Sequence, residues 1–161
     1  MKSWKMLLAG LLLTGLSPQA ALAAGWNDSK VAYDGELNIT VHRSATCGCC
    51  KGWIEHLRET GFTVEDVVTD NVNPIKQQHG LPPSMASCHT ALIDGYVIEG
   101  HVPADDIKRL LTERPAIAGL AVPGMPTGGP GMEYGDRKDP FAVIAFDRQG
   151  NFDSFREYWE Y

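Results

Sequence analysis

The sequence predicts an α/β domain with a mixed central sheet flanked by helices. Three observations carry this expectation. A run of strand period, residues 36–43, leads directly into three of the chain's four cysteines and then into a run of helix period. An Asp94-Gly95 pair sits between two short apolar runs, the signature of a tight antiparallel hairpin. A further amphipathic helix follows at once, with Pro103 near its first position and Asp105 and Asp106 in its first turn.

In chain order, residues 36–43 place Leu37, Ile39 and Val41 on one face, the alternation of a half-buried strand. Ser44, Ala45 and Thr46 turn the chain into Cys47, Cys49 and Cys50. From Gly48 or Cys49 to Thr60 the spacing predicts a helix with Trp53, Ile54 and Leu57 on its inner face, ended by Gly61. Residues 62–69 are rich in β-branched side chains and predict a second strand. Asn73-Pro74 opens a short helix to about His79. A proline-marked loop, residues 81–87, then delivers Cys88 and His89. The hairpin strands are residues 90–93 and 96–99, and the next helix should end near Arg114-Pro115.

Residues 118–135 read as one long loop with five glycines between Gly124 and Gly135, three prolines and the near-repeat Pro123-Gly124-Met125-Pro126 and Pro130-Gly131-Met132-Glu133. A loop of that length in a compact domain is usually functional or disordered. Residues 141–147 and 152–158 read as a closing pair of strands, with a partly helical reading left open for the second. Strand, cysteine-bearing helix, strand, helix, hairpin and helix is the order of a thioredoxin-like domain. The right-handedness of parallel crossovers leaves few other topologies.

The N-terminus sets the compartment. Lys2 and Lys5, the apolar run 6–16 and the small-x-small Ala21-Leu22-Ala23 read as a cleaved secretory signal peptide over residues 1–23. Its apolar part is too short for a stable membrane anchor. A leader over residues 24–35 and one domain over 36–161 complete the expected organisation, and the location is periplasmic. Loss of Lys2 and Lys5 takes the formal charge from −6 to −8. An acidic chain without a basic stripe argues against nucleic acid as a partner.

The chemistry gathers at sulfur. Cys47 and Cys50 have the C-x-x-C spacing, and Cys49 adds a third thiol. Thiols in a helix's first turn face unpaired N–H groups and the positive end of the macrodipole, which favours thiolate, the nucleophile and the soft metal ligand. Adjacent Cys49 and Cys50 do not bridge each other readily, so two structural disulfides would need Cys88 and a very tight ring. The topology places Cys88 facing the start of the cysteine helix, where four sulfurs would cluster. Thiolates select Cu(I), Zn or Fe–S, and copper is the soft ion for an exported protein to manage. Met125 and Met132 lie in a loop without apolar periodicity, so core filling explains them poorly, and thioethers bind Cu(I). Met85 is a weaker candidate. His101, at the entry to the last helix, is favoured as a ligand over His89, whose neighbour Cys88 would point to the opposite face of a regular strand. His42, His56 and His79 read as surface residues.

With these residues in view, the chain resembles the CopG-type family of small periplasmic copper-resistance proteins, unrelated to the DNA-binding repressor of that name and long described as a domain of unknown function. The matching segments are Cys47-Gly48-Cys49-Cys50, Ser87-Cys88-His89-Thr90-Ala91, Glu99-Gly100-His101-Val102-Pro103, and Val122 to Pro126 with Pro130 to Glu133. They span about residues 36 to 147; the Trp/Tyr-rich C-terminus lies outside them. The resemblance implies a thioredoxin-like fold, copper bound at the cysteines as a cluster, and a role in copper tolerance by changing copper's oxidation state.

The combined expectation is a copper-binding protein with Cys47, Cys49, Cys50 and Cys88 as thiolate ligands, helped by His101, Met125 and Met132. Its partners would be copper ions and other periplasmic copper-handling or electron-transfer proteins. If the site is redox-active, making the protein a copper oxidoreductase, Cys47 and Cys50 are the catalytic pair. The rival reading is a thiol–disulfide oxidoreductase using Cys47 as attacking thiolate and Cys50 as resolving thiol on protein partners. A third is a zinc-stabilised module on Cys47, Cys50, Cys88 and His89, though the spacing matches no standard zinc ribbon or finger.

Overall fold

A computed structural model describes residues 25–161. The signal peptide expected over residues 1–23 lies outside the described residues. Within them the elements run β1 (Asn38–Arg43), α1 (Gly48–Glu59), β2 (Thr63–Val68), α2 (Asn73–Gln78), β3 (His89–Ile93), β4 (Tyr96–Glu99), α3 (Ala104–Glu113), β5 (Gly119–Ala121), β6 (Phe141–Phe146) and β7 (Phe152–Tyr158). A single 3₁₀ turn, Pro83–Met85, sits between α2 and β3.

The strands form one mixed seven-stranded sheet in the order β2-β1-β3-β4-β5-β6-β7. β1 and β2 are parallel and joined through α1, while β3 runs antiparallel to both β1 and β4. This four-strand core with its crossover helix is compatible with the thioredoxin-like arrangement expected from the sequence. β5 then adds parallel to β4, and β6 and β7 follow antiparallel, with an irregularity between Val143 and Ile144.

Strand alternation divides the apolar residues between the two faces of the sheet. On one face, Ile39, Val41, Ala91, Ile93, Ile98, Leu120 and Val143 pack against Trp53, Ile54 and Leu57 of α1 and Ile107, Leu110 and Leu111 of α3. On the other, Val97, Ala121 and Phe146 meet Leu81 and Met85 from the chain after α2. The Trp53 indole N–H donates to the Val102 carbonyl at 2.8 Å, which ties α1 to the entry of α3.

Two expectations need correction. The segment 118–135 is not all loop, because Gly119–Ala121 is a fully buried strand between β4 and β6. Three residues of Gly-Leu-Ala show too little alternation to announce a strand, and the pairing of both neighbours makes it one. His56 is not a surface residue. It is 3% exposed, Nδ1 meets the Asn27 side-chain oxygen at 3.0 Å, and Nε2 accepts the Ala104 N–H at 3.1 Å. Ala104 begins α3, so His56 of α1 supplies the acceptor for one of that helix's unpaired first-turn donors.

Residues 25–35 form neither helix nor strand, yet they are tied to the domain. Trp26 lies 5.2 Å from the Tyr158 ring and 5.1 Å from that of Tyr161, and its indole donates to the Gly128 carbonyl at 2.7 Å. The Asp105 carboxylate accepts the Ser29 hydroxyl at 2.6 Å and the Lys30 N–H at 3.1 Å. Among the described residues, no helix is long and apolar enough to cross a membrane.

Candidate metal centre

The site forms where α1 begins. Cys47 is the N-cap residue, with no side-chain capping bond, and no acidic residue occupies the first turn. The helix therefore directs its unpaired N–H groups and positive end at sulfur. Cys47 and Cys50 are joined in a disulfide with their Cα atoms 5.3 Å apart, and Cys49 and Cys88 are free thiols. Cys49 Sγ lies 3.6 Å from Cys47 Sγ and 4.0 Å from Cys88 Sγ. All four sulfurs fall within 4.8 Å of one another. Cys50 is fully buried and the other three are partly exposed, so the cluster has a sealed inner side and an open outer one.

The structure thus gathers Cys47, Cys49, Cys50 and Cys88, and sets His101 beside them. His101 Nε2 is 3.5 Å from Cys88 Sγ. Its Nδ1 meets the Pro130 carbonyl at 2.8 Å. A carbonyl only accepts, so Nδ1 carries the hydrogen and Nε2 presents its lone pair toward the sulfur, the arrangement typical of a ligand histidine. Burial and the Pro130 bond act in opposite directions on this imidazole, and burial prevails, lowering its pKa.

His89 joins the site as well. Its Nδ1 lies 3.4 Å from Cys88 Sγ, and Cys88, His89 and His101 form a second group of converging ligand atoms. The expectation that Cys88 and His89 face apart assumed a regular strand through both. β3 instead begins at His89, and Cys88 belongs to the irregular chain before it. His89 is fully buried, 4.5 Å from the Trp53 ring and 5.0 Å from the His101 ring, and its Nε2 has no hydrogen-bond partner. Burial, with His101 and Lys76 nearby, holds its pKa well down, so it is a neutral imidazole. The Cys88 thiol is pushed up to about 11, by burial first and by Cys49 second.

The two methionines sit on the Gly/Pro-rich segment that closes over this end of the sheet. Gly131 packs on α1 so closely that a Cβ there would lie 2.3 Å from the Trp53 backbone nitrogen. Its positive φ of 76° also favours glycine. Met132 follows it and is buried, its N–H bonded to the Gly129 carbonyl at 2.8 Å. Met125 is 56% exposed. It follows Gly124, whose carbonyl accepts the Ser87 hydroxyl at 2.7 Å, so the Met125 turn is moored next to Cys88. Met85 lies in the second core cluster and fills space there.

The fold and the sulfur-rich centre define a small α/β protein with a soft-metal or thiol-redox site at the head of a helix. The chain is similar to two solved structures of copper resistance protein copG, Form 1 and Form 2. Each is 52% identical, covers 77% of this chain and superposes with a TM-score of 0.73; the match takes in 98% of Form 1 and 99% of Form 2. A family model described as a protein of unknown function, DUF411, matches residues 85–132, the stretch from Met85 through Cys88, His101 and Met125 to Met132. Comparison with the curated proteins gives no match. The chain belongs to the CopG-type copper-resistance family.

Proposed function

We propose that this protein binds copper at the sulfur cluster as part of copper resistance in the periplasm, after removal of residues 1–23. Four sulfurs within 4.8 Å of one another carry the reading. Thiolates are soft ligands, and the His101 imidazole, its Nε2 lone pair directed toward Cys88 Sγ, completes a donor set suited to Cu(I). Copper here is cargo. Cys47, Cys49, Cys50 and Cys88 are its thiolate ligands, His101 adds nitrogen, and Met125 and Met132 supply thioethers from the covering loop. Cys49 and Cys50 leave the helix about 100° apart, which suits sulfurs that bridge more than one ion. Coordination by all four cysteines requires the Cys47–Cys50 disulfide to be open. Opening takes two electrons and two protons and yields two thiols, and bound cations then displace the thiol protons. The site also interconverts Cu(I) and Cu(II), exchanging electrons with other periplasmic copper-handling or electron-transfer proteins.

The Cys47–Cys50 disulfide beside a free Cys49 favours a second reading, thiol–disulfide exchange with protein partners. One experiment separates the two. Protein is reduced, loaded with Cu(I), desalted, and assayed for copper and for free thiols. Retention of at least one copper per chain, lost in a Cys47→Ser/Cys88→Ser variant, is the expected result. No retained copper, with Cys47 and Cys50 cycling between dithiol and disulfide, would overturn it in favour of exchange. Copper oxidation rates test the redox step separately, and equal rates for wild type and Cys50→Ser would remove it.

A further inference from the structure

A buried ion pair on the opposite face of the sheet from α1 grips the chain on both sides of Cys88. Glu99, at the end of β4, is fully buried, and its carboxylate spans two anchor points. Oε1 accepts the Ser87 backbone N–H at 2.6 Å, and Oε2 accepts the Thr90 hydroxyl at 2.7 Å. Cys88 and His89 are the two residues between those anchors. Lys76, projecting from α2 and 7% exposed, pairs with Oε1 and also donates to the Thr90 hydroxyl at 2.9 Å. Both carboxylate oxygens are therefore committed, so Glu99 is not itself a free ligand. Gly100 continues the grip. Its N–H donates to the His89 carbonyl at 3.1 Å, and a Cβ at Gly100 would meet Ser87 at 2.8 Å.

The structure assigns Glu99, backed by Lys76, as the positioning residue for Cys88. Core stability alone does not call for a buried charge pair, because burying two ions costs roughly what their attraction returns. What this pair supplies is a fixed backbone at a residue that has no sheet partner of its own. Cys88 precedes β3, and its sulfur must be held near Cys49 and His101 from outside the ladder. A carboxylate that accepts from the residue before Cys88 and from the residue after His89 does that. Partners that orient a ligand commonly tune metal affinity 10- to 100-fold.

The inference rests on the copper reading, and two neutral double variants test it without leaving either charge unpaired. Lys76→Met/Glu99→Gln keeps an oxygen for the Ser87 N–H, whereas Lys76→Met/Glu99→Leu removes it. Cu(I) affinity is measured against a competing chromophoric chelator, and Cys88 alkylation by iodoacetamide is followed by peptide mapping in reduced, metal-free protein. The glutamine variant should stay within about threefold of wild type in both measurements. The leucine variant should bind Cu(I) at least about tenfold more weakly and alkylate Cys88 at a rate changed severalfold. Equal behaviour of the two variants would overturn the assignment. A leucine variant that alone fails to fold would also overturn it, by giving the network to the fold. If wild type takes up no copper the copper reading fails, and the alkylation rates still decide the positioning role.

Discussion

His56 ties three parts of the molecule together through its neutral form, and that makes a measurable prediction. Burial is the leading cause that lowers its pKa from 6.5 to about 4, and Lys108 and His101 add to it. Asp105 opposes them but does not prevail. Protonation at Nε2 would turn the acceptor for the Ala104 N–H into a donor facing a donor, at the positive end of α3. The folded protein therefore resists a proton that the unfolded chain takes up freely below pH 6.5. The stabilisation from neutral His56 is complete above that pH and is lost as the pH falls toward 4. A drop from 6.5 to about 4 corresponds to about 3 kcal/mol in full. About 2 kcal/mol of it is gone by pH 5. Buried His89 and His101 titrate in the same direction, so wild type alone does not isolate the effect. The comparison is with His56→Gln, which keeps an oxygen acceptor for α3 and does not titrate. Urea unfolding of both proteins at pH 7.5 and pH 5 is the assay. Wild type should lose about 2 kcal/mol more than the variant over that interval, about 1 M in urea midpoint. Parallel losses in the two proteins would refute the capping role.

Two further perturbations follow from close packing. Gly131→Ala places a methyl group against the Trp53 backbone at a left-handed position, so it should cost roughly 2 kcal/mol or more by thermal melt and lower Cu(I) affinity, because the loop bearing Met132 and the Pro130 carbonyl must lift from α1. Unchanged melting and copper binding would show that the loop is not seated there. Trp26→Ala removes an indole packed on Tyr158 and Tyr161 and its bond to Gly128; a loss of about 2 kcal/mol and faster proteolytic cleavage after residue 30 are expected, against unchanged rates if residues 25–35 are a loose leader.

Periodicity made most of the fold legible. The alternation of Leu37, Ile39 and Val41, the Trp53–Ile54–Leu57 stripe and the Asp94-Gly95 turn are local signals, and each produced an element within a residue or two of its place. β5 was not legible, because its three residues are a strand only by virtue of the strands beside them. His56 misled for a related reason. A histidine on a helix beside Glu55, with Arg58 two positions on, looks solvent-facing, and its actual neighbour is a helix end 48 positions away in sequence.

The same distinction runs through the site. The cysteines were legible because their spacing is itself the chemistry: Cys47 to Cys50 is one helical turn, and topology alone brings Cys88 opposite. His89 is not legible from strand alternation, because β3 begins at His89 and Cys88 belongs to the irregular chain before it. Glu99 lies in one of the segments that carry the family resemblance, yet nothing local to it showed its role. In the sequence it is the polar end of a hairpin strand, and what distinguishes it is a lysine arriving from α2 and a backbone N–H arriving from the loop before β3. Ligands are chosen by element chemistry, which a sequence displays. The groups that aim those ligands are chosen by where separate segments meet, and only the folded chain displays that. For this reason the Glu99–Lys76 pair, rather than another sulfur, is where the structure adds most to the sequence.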